Sequence, residues 1–139
     1  MHRRRFALLL TAALATASCG TSVGLDGPQD APLVEVLSAS ATAGTSTSLR
    51  MQNASATRWG FNECGSPRLQ RRDGEAWVDA PEPLMLCTLE LSSLEPGATR
   101  TVSVAVPMGY VPGTYRIRYR FLRSDGVEAF PASGSFTIE

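Results

Sequence analysis

The residues of this chain best placed to do chemistry are arginines. Arg116, Arg118 and Arg120 alternate with Tyr115, Ile117, Tyr119 and Phe121. A strand turns successive side chains to opposite faces, so these three guanidiniums would project together at intervals of about 6.8 Å. Arg123 extends the row, and Arg71-Arg72 is a candidate to join it. A planar guanidinium fork suits phosphate and carboxylate. One reading is therefore a site for an anionic glycan, a lipid headgroup or an acidic partner strand. The other is a solvated face whose arginines pair across strands with Glu and Asp, each pair worth about 0.2–1 kcal/mol. The second is favoured, because exposed pairs of this kind are common and weak.

Catalytic chemistry is poorly supplied. The one histidine is His2, which is expected to leave with the leader described below, and there is no lysine. Without either, a Ser or Cys nucleophile lacks its usual base, and zinc lacks imidazole ligands. No Gly-rich phosphate loop, Ser-x-x-Lys motif or calcium loop occurs. Carboxylate pairs, Glu63 with Asp73 or Glu75 and Asp79 with Glu82, could in principle hydrolyse a glycoside. Acids spread over strands are far more often solvated surface. We expect no catalytic residue, no metal, no cofactor and no enzymatic activity.

The first residues set an address. Arg3-Arg4-Arg5 precedes an apolar run from Phe6 to Ala15, followed by small residues up to Cys19. That is the basic, apolar and small-residue order of a secretory signal. The apolar run is too short for a membrane span, which needs about 20 residues. Removing residues 1–18 takes three of the thirteen arginines and none of the thirteen acids, leaving a formal charge of about −3. An exported, acidic, lysine-free chain lacks the footprint of a nucleic-acid binder. Arg3-Arg4-Arg5-Phe6 also resembles a twin-arginine export signal; a plain basic leader fits as well.

Ala15-Thr16-Ala17-Ser18-Cys19 resembles a bacterial lipobox, with Thr16 standing where leucine is commonest. The resemblance implies cleavage before Cys19 and acylation of that cysteine. It further implies, through Gly20 rather than an aspartate, an outer-membrane location if the cell has one. With Cys19 carrying lipid, Cys64 and Cys87 are left as a pair in an oxidising compartment, and a disulfide is the plain reading. Residues 19–32, rich in Gly and Pro, then read as a flexible tether spanning on the order of 20 Å.

Residues 33–139 have the length of one immunoglobulin-type sandwich and a period of two. Thr45, Thr47, Leu49 and Met51 alternate with polar neighbours, and Val102, Val104 and Val106 with Thr101, Ser103 and Ala105. Val34 and Val36, Trp59 and Phe61, and Phe136 and Ile138 suggest three further strands. Asp73-Gly74, Pro96-Gly97, Pro112-Gly113 and Asp125-Gly126 mark turns. Residues 84–91 fit helical and strand spacing equally; with Pro81 and Pro83 in front and Pro96 behind, we read a strand.

Leu49-Arg50-Met51-Gln52-Asn53-Ala54-Ser55, Gly74-Glu75-Ala76-Trp77, Leu94-Glu95-Pro96-Gly97 and Gly113-Thr114-Tyr115-Arg116-Ile117 resemble, in type and order, the immunoglobulin-like domains of bacterial lipoproteins. The resemblance implies an all-β sandwich of about seven to eight strands. In it Tyr115 would close a corner, Leu49 and Ile117 would stand where antibody domains have core cysteines, and Trp59 would be the core tryptophan. Trp77 and Gly113 would be structural as well. A second, smaller family of immunoglobulin-like protease inhibitors shares the Asn-x-Ser, Gly-x-x-Trp and Pro-Gly-x-Tyr elements. It implies an inhibitory loop near residues 63–67 or 108–112. The expectation is a monomeric, lipid-anchored envelope module that binds the membrane through its anchor, and an envelope protein or anionic glycan through its surface.

Overall fold

The computed structural model describes residues 27–139. The expected leader, 1–18, and the expected lipid-bearing Cys19 lie outside the described residues. Within them the regular structure is entirely strand, in twelve segments. These are β1 (Leu33–Val36), β2 (Ser40–Ala41), β3 (Ser46–Gln52), β4 (Trp59–Phe61), β5 (Pro67–Asp73) and β6 (Ala76–Asp79), then β7 (Ser92–Leu94), β8 (Thr99–Ala105), β9 (Gly113–Tyr119), β10 (Phe121–Leu122), β11 (Glu128–Ala129) and β12 (Phe136–Ile138). They make an all-β fold of three sheets, ordered β1-β3-β8, β11-β10-β4-β7 and β2-β12-β9-β5-β6. No helix among the described residues is long and apolar enough to cross a membrane.

Alternation builds the interior. In β3, Thr47, Leu49 and Met51 are buried while Ser46, Ser48, Arg50 and Gln52 are exposed. In β8, Val102 and Val104 are buried, and β3 and β8 lie antiparallel with Leu49 opposite Val102. From the other sheets come Trp59, Phe61, Leu94, Ile117, Tyr119, Phe121, Phe136 and Ile138, all essentially inaccessible. Phe61 meets Tyr119 and Phe121 edge-on with ring centroids 6.0 Å apart, the arrangement the ring quadrupoles favour.

The segment expected to run unbroken from Tyr115 to Phe121 is divided. β9 ends at Tyr119, whose N–H donates to Pro131 O, and the N–H of Arg120 turns to Ser66 O. β10 then joins a different sheet, where Leu122 faces Gly60 of β4. Pairing with the returning chain continues across the break: Phe121 faces Ala129, Arg118 faces Ala132 and Tyr115 faces Phe136. One long hairpin thus belongs to two sheets. Such interruptions, here and between β4 and β5, raise the segment count above the expected seven or eight.

The Asn-x-Ser sequence after β3 has a physical reason. Asn53 is fully buried, and its amide donates to Thr57 O at 2.7 Å and Leu94 O at 3.0 Å. Its carbonyl accepts from the Ser55 N–H and hydroxyl. Its backbone reaches Ala98 and Gly97, the latter at φ 76 in the turn before β8, where glycine carries no steric cost. In the β5–β6 hairpin the positive φ falls on Gly74, at 58; Asp73 stays in the ladder opposite Ala76. Tyr115 is buried and its hydroxyl donates to Val111 O at 2.8 Å.

Two interior hydroxyls, Thr47 Oγ1 and Tyr119 Oη, have no hydrogen-bond partner among the described residues. Burial, and secondarily the charge of Glu63, push the Tyr119 hydroxyl above its ordinary pKa.

Asn53→Ala should cost roughly 1–3 kcal/mol in urea unfolding, because it orphans buried backbone groups. The raised Tyr119 pKa works in the alkaline direction. Above pH about 10 the unfolded chain ionises this tyrosine while the folded chain holds its proton. Stability should therefore fall as pH climbs beyond that point, and Tyr119→Phe should flatten the decline measured by denaturant titration at several pH values.

Candidate functional site

Two surface features are built up by this framework. The first lies on the outer face of the five-stranded sheet. Arg116 sits in β9 opposite Gln70 of β5, and Gln70 faces Asp79 of β6. Gln70 is buried there; its amide donates to Asp79 Oδ1 at 2.7 Å and its carbonyl accepts from Arg116 Nε at 2.8 Å. The Arg116 guanidinium lies 4.6 Å from the centroid of the Trp77 ring, and that of Arg72 lies 5.3 Å from it. Arg72 Nε donates to Gly74 O at 2.7 Å. Arg118 lies over Phe130 at 5.4 Å. Desolvation, followed by repulsion from Arg118 and Arg72, lowers the Arg116 pKa from its ordinary value.

The expected arginine row is therefore only partly assembled. Arg120 falls at the break between β9 and β10 and pairs with Glu128. Arg123 leaves the row altogether. It stacks over Trp59, at 5.6 Å, and bridges Asp30 at 3.1 Å and Asp125 at 2.8 Å, fastening the start of the described chain against β4. Trp59 itself is fully buried and donates through Nε1 to Asp30 O at 3.2 Å. Trp77 is half-buried on the outer surface, clasped by arginines.

The second feature is the segment from Pro81 to Leu91, which is neither the expected strand nor a helix. Pro81 and Pro83 remove two ladder donors. Asn62 claims the carbonyls of Thr88 and Glu90 at 2.6 and 2.8 Å, while its own side-chain oxygen accepts from Cys64 N and Gly65 N. A disulfide joins Cys64 to Cys87 with Cα atoms 5.5 Å apart. It fastens the loop to the turn after β4. The apolar side chains of this segment are turned to solvent: Leu84, Leu86 and Leu89 are fully exposed, and Met85 and Leu91 are about half exposed. A groove of about 360 Å³ runs beneath, between this loop and strands β5 and β8. Asn62 went unnoticed in the sequence, although an Asn two residues before a Cys-Gly turn is an available Asx-turn signal.

Three of the five carboxylates considered for catalytic pairs are engaged elsewhere: Glu63 holds Arg100, Glu82 holds Arg68 at 2.8 Å, and Asp79 accepts from Gln70. Of the two loops considered for inhibition, 63–67 is the turn carrying Cys64, and 108–112 exposes Met108 and Val111. Among the described residues no group of three or more His, Cys, Asp or Glu side chains is arranged to hold a metal.

The chain matches no protein-family model and no curated protein sequence. Among solved structures it is similar to the ApaA protein of Bordetella pertussis, with TM-score 0.43 and 19% identity over 66% of this chain and 72% of that one. It is also similar to the ASH or PapD-like domain 7 of human CEP192, with TM-score 0.40 and 14% identity over 98% and 96%. A β-glucosidase from Listeria innocua in complex with laminaribiose shares 16% identity over 76% of this chain and 16% of that one, with TM-score 0.32.

Cys64→Ser should lower the free energy of unfolding by about 3.4 kcal/mol, the loop-closure value for a bridge spanning this separation, measured as a fall in Tm. An unchanged Tm would mean that the bridge contributes nothing to stability.

Proposed function

We propose that this is an exported protein, lipid-anchored at Cys19, whose immunoglobulin-like sandwich acts as a non-catalytic binding module in the cell envelope and docks a protein partner on the 84–91 loop. The sandwich reading is supported by strand order. The first edge is shared between sheets, with β1 beside β3 and β2 running parallel to β12. If the interrupted runs are joined, β1 with β2, β4 with β5, β9 with β10 and β11 with β12, the twelve segments reduce to eight. Eight strands would match an immunoglobulin-like sandwich, and the same joining would merge the second and third of the three sheets. The address rests on the leader, the lipobox-like Cys19 and the pairing of the remaining cysteines.

The observation that carries the binding reading is the loop itself. Three fully exposed leucines within six residues give up apolar burial worth about 1.5–3 kcal/mol each. The disulfide and Asn62 hold them in place rather than letting them collapse. A surface already ordered before contact avoids part of the entropic cost of association.

A second reading, inhibition of an envelope protease, is favoured by one feature: the segment is extended and clipped next to Leu86, the form in which proteases accept chains. The inhibitory loop would then be 84–91 rather than either stretch expected from sequence.

Crosslinking the protein in its own envelope should capture a discrete partner, and Leu84→Ser with Leu86→Ser and Leu89→Ser should abolish that capture without lowering Tm. Retained capture would sink the docking role, and stoichiometric loss of protease activity on adding purified protein would select the inhibitor reading. Acylation is read separately, by labelling with a fatty-acid probe that Cys19→Ala abolishes.

A further inference from the structure

Ten arginines lie among the described residues, and they divide sharply. Arg50, Arg58, Arg68, Arg100, Arg120 and Arg123 each pair with a carboxylate. Arg71, Arg72, Arg116 and Arg118 have no carboxylate at ion-pair distance among those residues. Arg71 stands opposite Tyr115 in the ladder and so belongs to the other side of the sheet. The remaining three share one outer face.

Their construction is alike. Arg72 and Arg116 are fixed through Nε to a neutral oxygen, Gly74 O and Gln70 Oε1, and Arg118 Nε approaches Phe130 O more loosely, at 3.5 Å. Each also lies over an aromatic ring, Trp77 for the first two and Phe130 for the third. The Nη groups of all three find no protein acceptor among the described residues. Guanidiniums held in this way are oriented without a direct ion pair, the one carboxylate in the network being Asp79, which reaches Arg116 only through Gln70. Their mutual repulsion is felt at Arg116, whose proton affinity is lowered partly by Arg118 and Arg72. Residues 27–139 carry twelve acids and ten arginines, so leaving three cations without an ion pair on one face while pairing six others concentrates positive charge there.

We propose that this face binds an extended anionic glycan, whose carboxylate, sulfate or phosphate groups accept from the Nη atoms of Arg72, Arg116 and Arg118. The inference deepens the binding-module reading, and rests on it for the claim that the protein meets such polymers. Arg116 and Arg118 recur at the two-residue strand spacing of about 6.8 Å, so a polymer with repeating charges can engage both. Thr114 and Thr137, paired on neighbouring strands with their side chains on the exposed side of the alternation, extend the surface with hydroxyls. A glycan is favoured over a bilayer because this face presents hydroxyls, guanidiniums and stacked rings, whereas the exposed leucines that could enter lipid lie on the 84–91 loop. The Arg68–Glu82 pair stands between the two features.

The test titrates purified full-length mature protein with polygalacturonate, with dextran as the neutral polymer and phosphatidylglycerol vesicles as the lipid arm. Binding to polygalacturonate should weaken with added salt and be absent for dextran. Replacing Arg72, Arg116 and Arg118 together by Gln should weaken it about tenfold or more, since charge-assisted bonds are lost. The matched control replaces Arg50, Arg58 and Arg120 by Gln, the same change in net charge, and should leave affinity within about twofold. Because Arg116 is part-buried, Arg118→Gln alone is a second variant, expected to weaken binding about threefold with Tm unchanged. Equal losses in the two triple variants, no binding by the wild type, or binding to vesicles alone would each overturn the proposal. The Leu84, Leu86 and Leu89 serine variant should bind polygalacturonate normally, so loss of protein docking and loss of glycan binding remain separable.

Discussion

Most of this molecule hangs on the side-chain alternation of one segment, 113–122. Its inward positions, Tyr115, Ile117, Tyr119 and Phe121, are all buried, and their apolar surface draws the sheets together. At about 1.5–3 kcal/mol per large buried side chain, no other contiguous stretch contributes so much. The same alternation obliges Arg116 and Arg118 to face outward. A one-residue slip would put guanidiniums in the interior and rings in water, so register is strongly specified. Core and cationic face are thus two consequences of one constraint.

The break at Arg120 follows from the same economy of partners. A strand that serves two sheets must change neighbours, and every backbone donor has to be satisfied during the change. Here Pro131 O and Ser66 O receive the donors that leave the ladder. Two asparagines do comparable work elsewhere. Asn53 and Asn62 each donate to two backbone carbonyls and accept at the side-chain oxygen. Each holds a loop that contains no regular structure of its own. The disulfide acts beside Asn62, so one chain region is held both by a covalent bond and by four polar contacts.

How legible this was depends on the range of the determining interactions. Strands β3, β8, β9 and β12 were readable because alternation is local and each has one buried face. The all-β character followed directly from them. Residues 84–91 were misread because periodicity records which side chains are apolar and not whether anything covers them. Met85, Cys87, Leu89 and Leu91 look like a core pattern, yet the carbonyls that would join a ladder are held by Asn62, more than twenty residues away in sequence. The arginine row suffered from the opposite fault. Spacing placed its members on one side of a strand, but whether each meets an acid is decided by other segments: Glu128 for Arg120, Asp30 and Asp125 for Arg123, and none among the described residues for Arg116. The role of Arg72 beside Trp77 required the β5–β6 register, which the hairpin signal alone does not supply.

The complete use of arginine in place of lysine becomes intelligible at this face. A lysine ammonium carries its donors on a single atom, so one neutral acceptor and one ligand would compete for the same point charge. Guanidinium separates those tasks. Nε anchors the group to a protein oxygen, the flat face rests on a ring, and two Nη groups remain directed away from both. Stacking also lowers the cost of holding an unpaired cation partly out of water, which is why Arg116 can remain part-buried beside two like charges. Substituting lysine at 116 would preserve charge while placing the Gln70 contact and the outward donors on one atom and removing the flat face that lies over Trp77. The geometry of the face therefore depends on the shape of the side chain as much as on its sign.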